Sequence, residues 1–506
     1  MTRAVALDGA GLTIADVVAV ARGDAAVSLS DAARARMRDA RAVVEAIVER
    51  GAPVDGVNTG FGKRAEITIA RDQLAALQRN LVRSHAAGVG APLADEVVRA
   101  MTLLRANVLA KGHSGVRPEI VDALTAFLAQ GIVPVIPAQG SVGASGDLAP
   151  LSHLALAVMG EGRVRYRGEE RDTAGALAAA GLRPIDLAAK EGIALVNGTQ
   201  AHTAIAALAC HDIRTLWETA NVAGAMTLEA LLGTPEPFDS RVQDVRGQRG
   251  QAVAAARLRA LLEGSAIRES HRHNDPRVQD AYALRCMPQV HGPAWDALQF
   301  ATDIVARELN AATDNPLVFT DGTLLSAGNF HGQAVALACD TLAIAVANLA
   351  VIAERRIDRL VNPDLNQGLP AFLATDPGLE SGLMMVQVTA AALASECKLL
   401  AHPASVDSIP TDGSKEDVVP MAMGAARKLS RSVENLAHVV AIELLCASVG
   451  VDHRAPLKPG AGVGIAHTRV RALVAPHAGD RSPSPDIERL ARAVLAGAFV
   501  PAAEAA

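Results

Sequence analysis

Between residue 197 and the C-terminus, five stretches repeat apolar residues at helical spacing with few breaks: 200–232, 294–312, 333–360, 383–401 and 424–448. Nothing else in the chain limits its fold as strongly. Each stretch is long enough to cross a domain, and a helix of that length must bury its apolar face against others. The pattern predicts a mainly α protein, an elongated helical bundle preceded by a smaller and more mixed N-terminal region. Composition agrees: half of the 506 residues are hydrophobic, yet only two Trp, two Tyr and eight Phe are present. A chain rich in Ala and Leu and poor in aromatics favours helix over sheet. Its length is enough for two or more packed subregions.

The first fifty residues read as a small α/β start, with Ser30 as the N-cap of a helix over 31–50. Helical patterns resume at 72–86 and 95–111. Two irregular segments interrupt them. GAPVDGVNTGFG (51–62) holds four glycines and a proline in twelve residues, and 134–147 leads into a helix opening near Leu148. Irregular loops of this kind often carry function. EGRVRYRGEERD (161–172) reads as a polar hairpin with Tyr166 on its surface.

Several function classes are disfavoured. A net charge of −6 with no long basic run argues against nucleic acid as a partner. Five scattered cysteines without a C-x-x-C pair fit a reducing cytoplasm better than a disulfide or zinc framework. The N-terminus lacks a clean apolar core with a cleavage site, so it does not read as a secretory signal. The longest apolar run, 342–353, is too short to span a bilayer and reads as the middle of a buried helix, so no membrane partner is expected. GAGVG (460–464) follows no clear strand and is not read as a dinucleotide loop. HRH (271–273) lacks a convergent second pair and reads as a solvated turn, so no metal is expected.

GSVGASGDLAP (140–150) is the segment richest in chemistry. Ser145-Gly146-Asp147 alone would be an ordinary helix N-cap. A tight turn offers more. The Gly146 amide nitrogen can attack the Ala144 carbonyl carbon, and loss of two waters, one from the Ser145 side chain, leaves a five-membered imidazolone with an exocyclic methylidene. Ala144 is small, Ser145 supplies the leaving hydroxyl, and Gly146 presents an uncrowded nitrogen. A helix N-terminus beside the ring would favour negative charge developing on its oxygen.

With this triad at its centre, the chain resembles the histidine and aromatic amino-acid ammonia-lyase family. The resemblance runs from VNTGFG (57–62) to DHRAP (452–456). It is carried in order by SHAAGVG (84–90), GSVGASGDLAPLSH (140–153), LVNGTQ (195–200), QDAYALRCMPQV (279–290), ATDNPLVF (312–319), GNFHG (328–332) and DSIPTDGSKED (407–417). It implies a histidine/phenylalanine ammonia-lyase-like fold and a prosthetic group, 4-methylideneimidazole-5-one, formed from Ala144-Ser145-Gly146. It further implies a homotetramer whose active sites draw on several subunits. On this basis residues 1–200 are expected to carry the triad and the active-site loop, and 201–506 the long-helix bundle and oligomerisation region.

Carried over position by position, the resemblance places Asn197 near the prosthetic group and the substrate's amino group, and Arg285 on its carboxylate. A planar guanidinium suits that second task. Tyr282, about one helical turn from Arg285, matches an active-site tyrosine. Gln279 and Phe330 match residues lining the pocket; core packing alone would explain Phe330 equally well. Ser84-His85 and Glu416 match the positions that face the imidazole in histidine lyases. The implied reaction is conversion of L-histidine to urocanate and ammonia.

The chain departs from the family at the base. Where relatives carry a tyrosine before the VNTGFG segment, this chain has Asp55. Unperturbed Asp and Tyr pKa values lie about 6 apart, which costs a carboxylate roughly 8 kcal/mol of driving force as a base. A carboxylate is, however, already ionised at neutral pH. Lys415, Val418 and Met287 also replace the usual residues, and an ion pair between Asp55 and Lys415, or added charge on a modified substrate, follows if both face the pocket. Two further readings stay open: a lyase acting on a different or modified amino acid such as ergothioneine, and a catalytically silent ligand-binding paralogue.

Overall fold

Ser30 accepts a hydrogen bond from the Ala33 amide, and the helix it caps runs Asp31–Arg50 to a left-handed Gly51, as the local sequence requires. Helix Pro118–Gln130 has the same logic, with proline at its first position and left-handed Gly131 beyond its end. The computed structural model describes residues 4–51, 53–54, 56–60, 62 and 67–501. Helix accounts for 59% and strand for 8%, which makes the protein mainly α.

Two compact units are present. The first comprises residues 1–211, 302–340 and 403–427, and the second 212–301, 341–402 and 428–506. The first unit opens with a parallel strand pair, Ala4–Leu7 and Ala26–Leu29, crossed by helix Ile14–Arg22. Helix Asp95–Ala110 lies at its centre and is buried on nearly every side. The hairpin appears as Arg163–Tyr166 paired antiparallel with Glu169–Asp172. Tyr166 corrects the sequence reading. It is buried, not on the surface, and the guanidinium of Arg167 lies 4.9 Å from its ring centroid. The polar residues around it mislead because their long stems cover the ring.

The long helices are Gln200–Ala230, Met287–Glu308, Gln333–Val361, Met384–Leu400 and Ala422–Asp452. Within the second unit, Arg356 and Glu443 form a fully buried pair at 2.5 Å, and Thr227 donates to the same carboxylate at 2.9 Å. The Trp217 and Trp295 rings pack 4.7 Å apart. Gln333–Val361 and Ala422–Asp452 are long and apolar enough to cross a membrane, but 72% and 89% of their apolar windows are buried inside the protein. Gly460 caps helix Ala461–Leu473, so the GAGVG segment is a helix start. None of the five cysteines is in a disulfide.

Candidate active site around Ser145

Ser145 sits where two chain segments press together. Gly146 (φ 68°) pairs with Gly198 in an isolated parallel bridge. A Cβ on Gly146 would fall 2.0 Å from the Gly198 carbonyl oxygen, and one on Gly198 would fall 2.5 Å from the Gln200 amide oxygen. No side chain fits at Gly146, which faces backbone, and one at Gly198 would be strained by its positive φ and would displace the surrounding side chains. The Asp147 amide donates to the Gly198 carbonyl at 2.7 Å. In the opposite direction, the Gly198 amide (3.3 Å) and Asn197 Nδ2 (3.1 Å) both donate to the Ser145 carbonyl oxygen. That oxygen therefore faces two N–H groups from consecutive residues, the geometry of an oxyanion hole.

Asn197 is delivered by a six-residue helix, Glu191–Val196, whose other end is anchored in the core. The buried Glu191 carboxylate takes a bidentate pair from Arg117 and the Ala188 amide. Burial pushes its pKa up, but Arg117 and the backbone donors outweigh that and hold it below the usual range. Gln78 Oε1 accepts the Gly192 and Ile193 amides at 2.8 and 3.2 Å. These contacts satisfy the helix's first N–H groups, which would otherwise be buried without partners.

Asp147 stands at the N-cap of helix Leu148–Val158 but does not cap it. Its carboxylate reaches instead to the start of helix Gln200–Ala230. There Oδ2 accepts the Ala201 and His202 amides, each at 2.9 Å, and lies 2.8 Å from His202 Nδ1. Ser141 donates to Oδ1 at 2.7 Å. Burial raises the pKa of this carboxyl, and the His202, backbone and Ser141 contacts together bring it below the usual value. The local N-cap reading of Ser145-Gly146-Asp147 thus gives way to a long-range clamp between the triad and a helix fifty residues on.

A cavity of about 480 Å³ opens on the triad, lined by Ala144, Ser145, Asn197, Phe330, Lys415 and Glu416 among others. The Ser145 hydroxyl donates to one oxygen of Glu416, and the Thr411 hydroxyl donates to the other. Thr411 and Glu416 also pair through their backbones, which closes the loop that aims the carboxylate. Phe330 is brought in because the Gly332 amide donates to the Gly143 carbonyl at 3.0 Å, tying its loop to the triad. His85 is not among the lining residues; its Nδ1 lies 2.8 Å from the Leu81 carbonyl of its own helix. Asp55 lies outside the described residues, and so does its expected pairing with Lys415.

Gln279, Tyr282 and Arg285 belong to the second unit and line a different cavity, of about 350 Å³. Arg285 donates to Gln279 Oε1, and its guanidinium lies 4.7 Å from the Tyr282 ring centroid. Tyr282 is 71% exposed.

Residues 12–472 match the family description "aromatic amino acid lyase". The chain belongs to that family. A histidine ammonia-lyase of Sorangium cellulosum is 53% identical over 98% of both chains. The crystal structure of a histidine ammonia-lyase from Trypanosoma cruzi superposes with a TM-score of 0.91 at 44% identity, covering 99% of this chain and 96% of that one. An ergothionase from Treponema denticola has the same TM-score, 0.91, at 31% identity, over 98% of this chain and 99% of its own. This lyase is accordingly a carbon–nitrogen lyase.

The lyase's own residues fit the prosthetic group such enzymes make from their backbone. The space over Gly146 admits only glycine, the Ser145 hydroxyl is held by a carboxylate, and the Ser145 carbonyl has two donors aimed at it. The structure brings Asn197 and Glu416, which the motifs singled out, together with Gly198, Asp147, His202 and Thr411, which they did not. The run NGTQ and the Asp after the triad were visible, but their partners are set by folding across long sequence separations. One further group, Glu380, His477 and Asp480, has atoms close enough together to hold a cation. Its carboxylates already accept the amides of Thr375, Ser381 and Gly382.

Proposed function

We propose that the lyase converts L-histidine to urocanate and ammonia, using 4-methylideneimidazole-5-one formed from Ala144-Ser145-Gly146. The grip on Ser145 carries this reading: its carbonyl is held by Asn197 and Gly198 and its hydroxyl by Glu416. Curated relatives 47–54% identical over nearly their full length are histidine ammonia-lyases, which supports the substrate. Once formed, the group supplies an electrophilic carbon that turns the substrate's amine into a leaving group.

The chain's residues then divide the work. Asn197 and Gly198 hold the oxygen onto which charge moves. Glu416 faces the imidazole and anchors it by a charge-assisted hydrogen bond, with Thr411 keeping the carboxylate in place. Arg285 binds the substrate carboxylate as a planar fork, Gln279 and Tyr282 orient it, and Phe330 closes the ring side of the pocket. Lys415 holds positive charge at the rim. Asp55 takes the β-proton as an already ionised carboxylate.

The reading includes, as the resemblance implies, a homotetramer in which subunits share sites. Ile344 and Val351, seven residues apart on helix Gln333–Val361, are exposed, as are Met385, Val388 and Leu399 on helix Met384–Leu400. Apolar stripes of this kind on long helices support burial against further copies. Region 201–506 would supply that assembly and region 1–200 the triad.

Intact mass tests the prosthetic group: the purified chain should be lighter by two waters. A panel of histidine, phenylalanine, tyrosine and modified histidines, followed by ultraviolet absorbance of the unsaturated acid, tests the substrate. Turnover of histidine alone is expected; turnover of none would support a silent paralogue.

A further inference from the structure

Behind the Ser145 carbonyl lies a charge that no motif marks. Arg105, in helix Asp95–Ala110, is completely buried. Its Nη1 donates to the Asn197 carbonyl oxygen at 2.7 Å, whereas its Nε and Nη2 meet no acceptor among the described residues. The nearby carboxylates are engaged elsewhere, Asp314 with Lys190 at 2.9 Å and Asp147 with His202 at 2.8 Å. Burial lowers the Arg105 pKa to about 10, against the opposing pull of Asp314 and Asp147. A buried cation with one neutral acceptor is a costly use of core space, since an apolar side chain of similar volume usually packs there at no such cost.

The contact it makes gives the charge a purpose. The Asn197 carbonyl and the Gly198 N–H belong to one peptide group. Arg105 holds its oxygen, and its hydrogen points at the Ser145 carbonyl. A cation on the oxygen end of a peptide polarises it and makes the N–H a stronger donor. Nη2 also lies beneath Gly198, 3.0 Å from where a Cβ would stand, so the guanidinium packs against this peptide as well.

We infer that Arg105 is a positioning residue for the electrophile, acting through the Asn197–Gly198 peptide to withdraw charge onto the Ser145 carbonyl oxygen. This rests on the reading that the triad matures. Two consequences follow. Dehydration of Ser145 breaks its Cα–H and Cβ–Oγ bonds and releases one water, and the electron pair from Cα–H is delocalised towards that same oxygen before the Cα–Cβ double bond forms. In the mature protein, any nucleophile adding to the methylidene carbon pushes charge onto the same oxygen. Arg105 favours both steps without touching substrate.

The test uses full-length Arg105→Lys, Arg105→Gln and Arg105→Met proteins. Intact mass gives the mature fraction of each. The ring carbonyl stretch, isolated by labelling serine with carbon-13 at its carbonyl, and the rate of 2-mercaptoethanol addition, followed by mass, are then read on the mature protein. Expected for Arg105→Met are a higher stretching frequency and thiol addition about tenfold slower than native, with Gln intermediate and Lys nearest native. A mature fraction falling in the order Lys, Gln, Met supports the inference equally. Equal stretch and equal thiol reactivity among folded, mature variants would overturn it, as would failure of all three variants to fold, which assigns Arg105 to the core alone. A native chain that is not lighter by two waters removes the maturation reading first, and this inference with it; a matured native chain with indifferent variants removes the inference only.

Discussion

The surroundings of Ser145 and those of Arg285 were both marked by motifs, yet they are built in opposite ways. Around Ser145 the chain is fixed from several sides: Asn197 and Gly198 hold its carbonyl, Glu416 holds its hydroxyl, and Asn197 and Asp147 are themselves held by the buried Arg105 and His202. Around Arg285, the guanidinium rests on Gln279 and Tyr282, Tyr282 is largely exposed and Val278 beside it is fully exposed. One region is held by contacts within its own unit, and the other leaves its side chains exposed. The difference teaches that fixing a reactive backbone and presenting side chains to a substrate make opposite demands on packing. Chemistry on the backbone demands strain and exclusion of water, which a core provides; recognition of a substrate needs side chains brought to it.

Gly146→Ala should break the first region most severely. The added methyl has no room beside Gly198, so intact mass should show no loss of water and activity should fall by about a thousandfold or more. Arg285→Ala should leave that mass change complete while lowering kcat/KM for histidine by about a hundredfold, chiefly through KM. An Arg285→Ala chain that fails to mature would erase the distinction between the regions.

Asp147→Asn probes the clamp. Losing the charge opposite His202 and helix Gln200–Ala230 should cost about 2–4 kcal/mol at neutral pH, read by urea unfolding. The sign follows from the lowered folded-state pKa. The stabilisation is fully present above the unfolded value of about 4 and is lost as pH falls through the lower folded value. The native protein should therefore weaken below about pH 4 in a way the Asn variant does not share. Equal acid sensitivity of the two would assign the charge no role in the clamp. The mildest expectation concerns shared sites: co-refolding Ser145→Ala with Arg285→Ala chains should restore about a quarter of native activity, if each site takes its two halves from different subunits. No recovery beyond either variant alone would place both halves in one chain.

Much of this was legible without coordinates. The helix Asp31–Arg50 falls where Ser30 and Gly51 delimit it, and four of the five long helices lie within a few residues of the apolar repeats, because capping and periodicity are local signals; the fifth, Met287–Glu308, begins seven residues before its repeat, across Pro293. Tyr166 was misplaced because charge around an aromatic side chain does not report its burial. The role of Asp147 was not legible because a carboxylate at an N-cap position looks the same whichever helix it serves. The first unit takes in 302–340 and 403–427, which no local pattern could join to residues 1–211.

What the sequence alone determined is the capacity for chemistry. Ala144-Ser145-Gly146 contains the atoms of the electrophile, and the spacing of Gln279, Tyr282 and Arg285 places them on one short segment. Only the tertiary structure decided how that capacity is constrained. It seated Gly146 against Gly198, aimed two N–H groups at the Ser145 carbonyl, turned Asp147 to a distant helix and buried Arg105 behind the Asn197 peptide. The physical reason is range: covalent neighbours fix which bonds can form, whereas the hydrogen bonds and charges that favour their formation come from residues that only folding brings within reach.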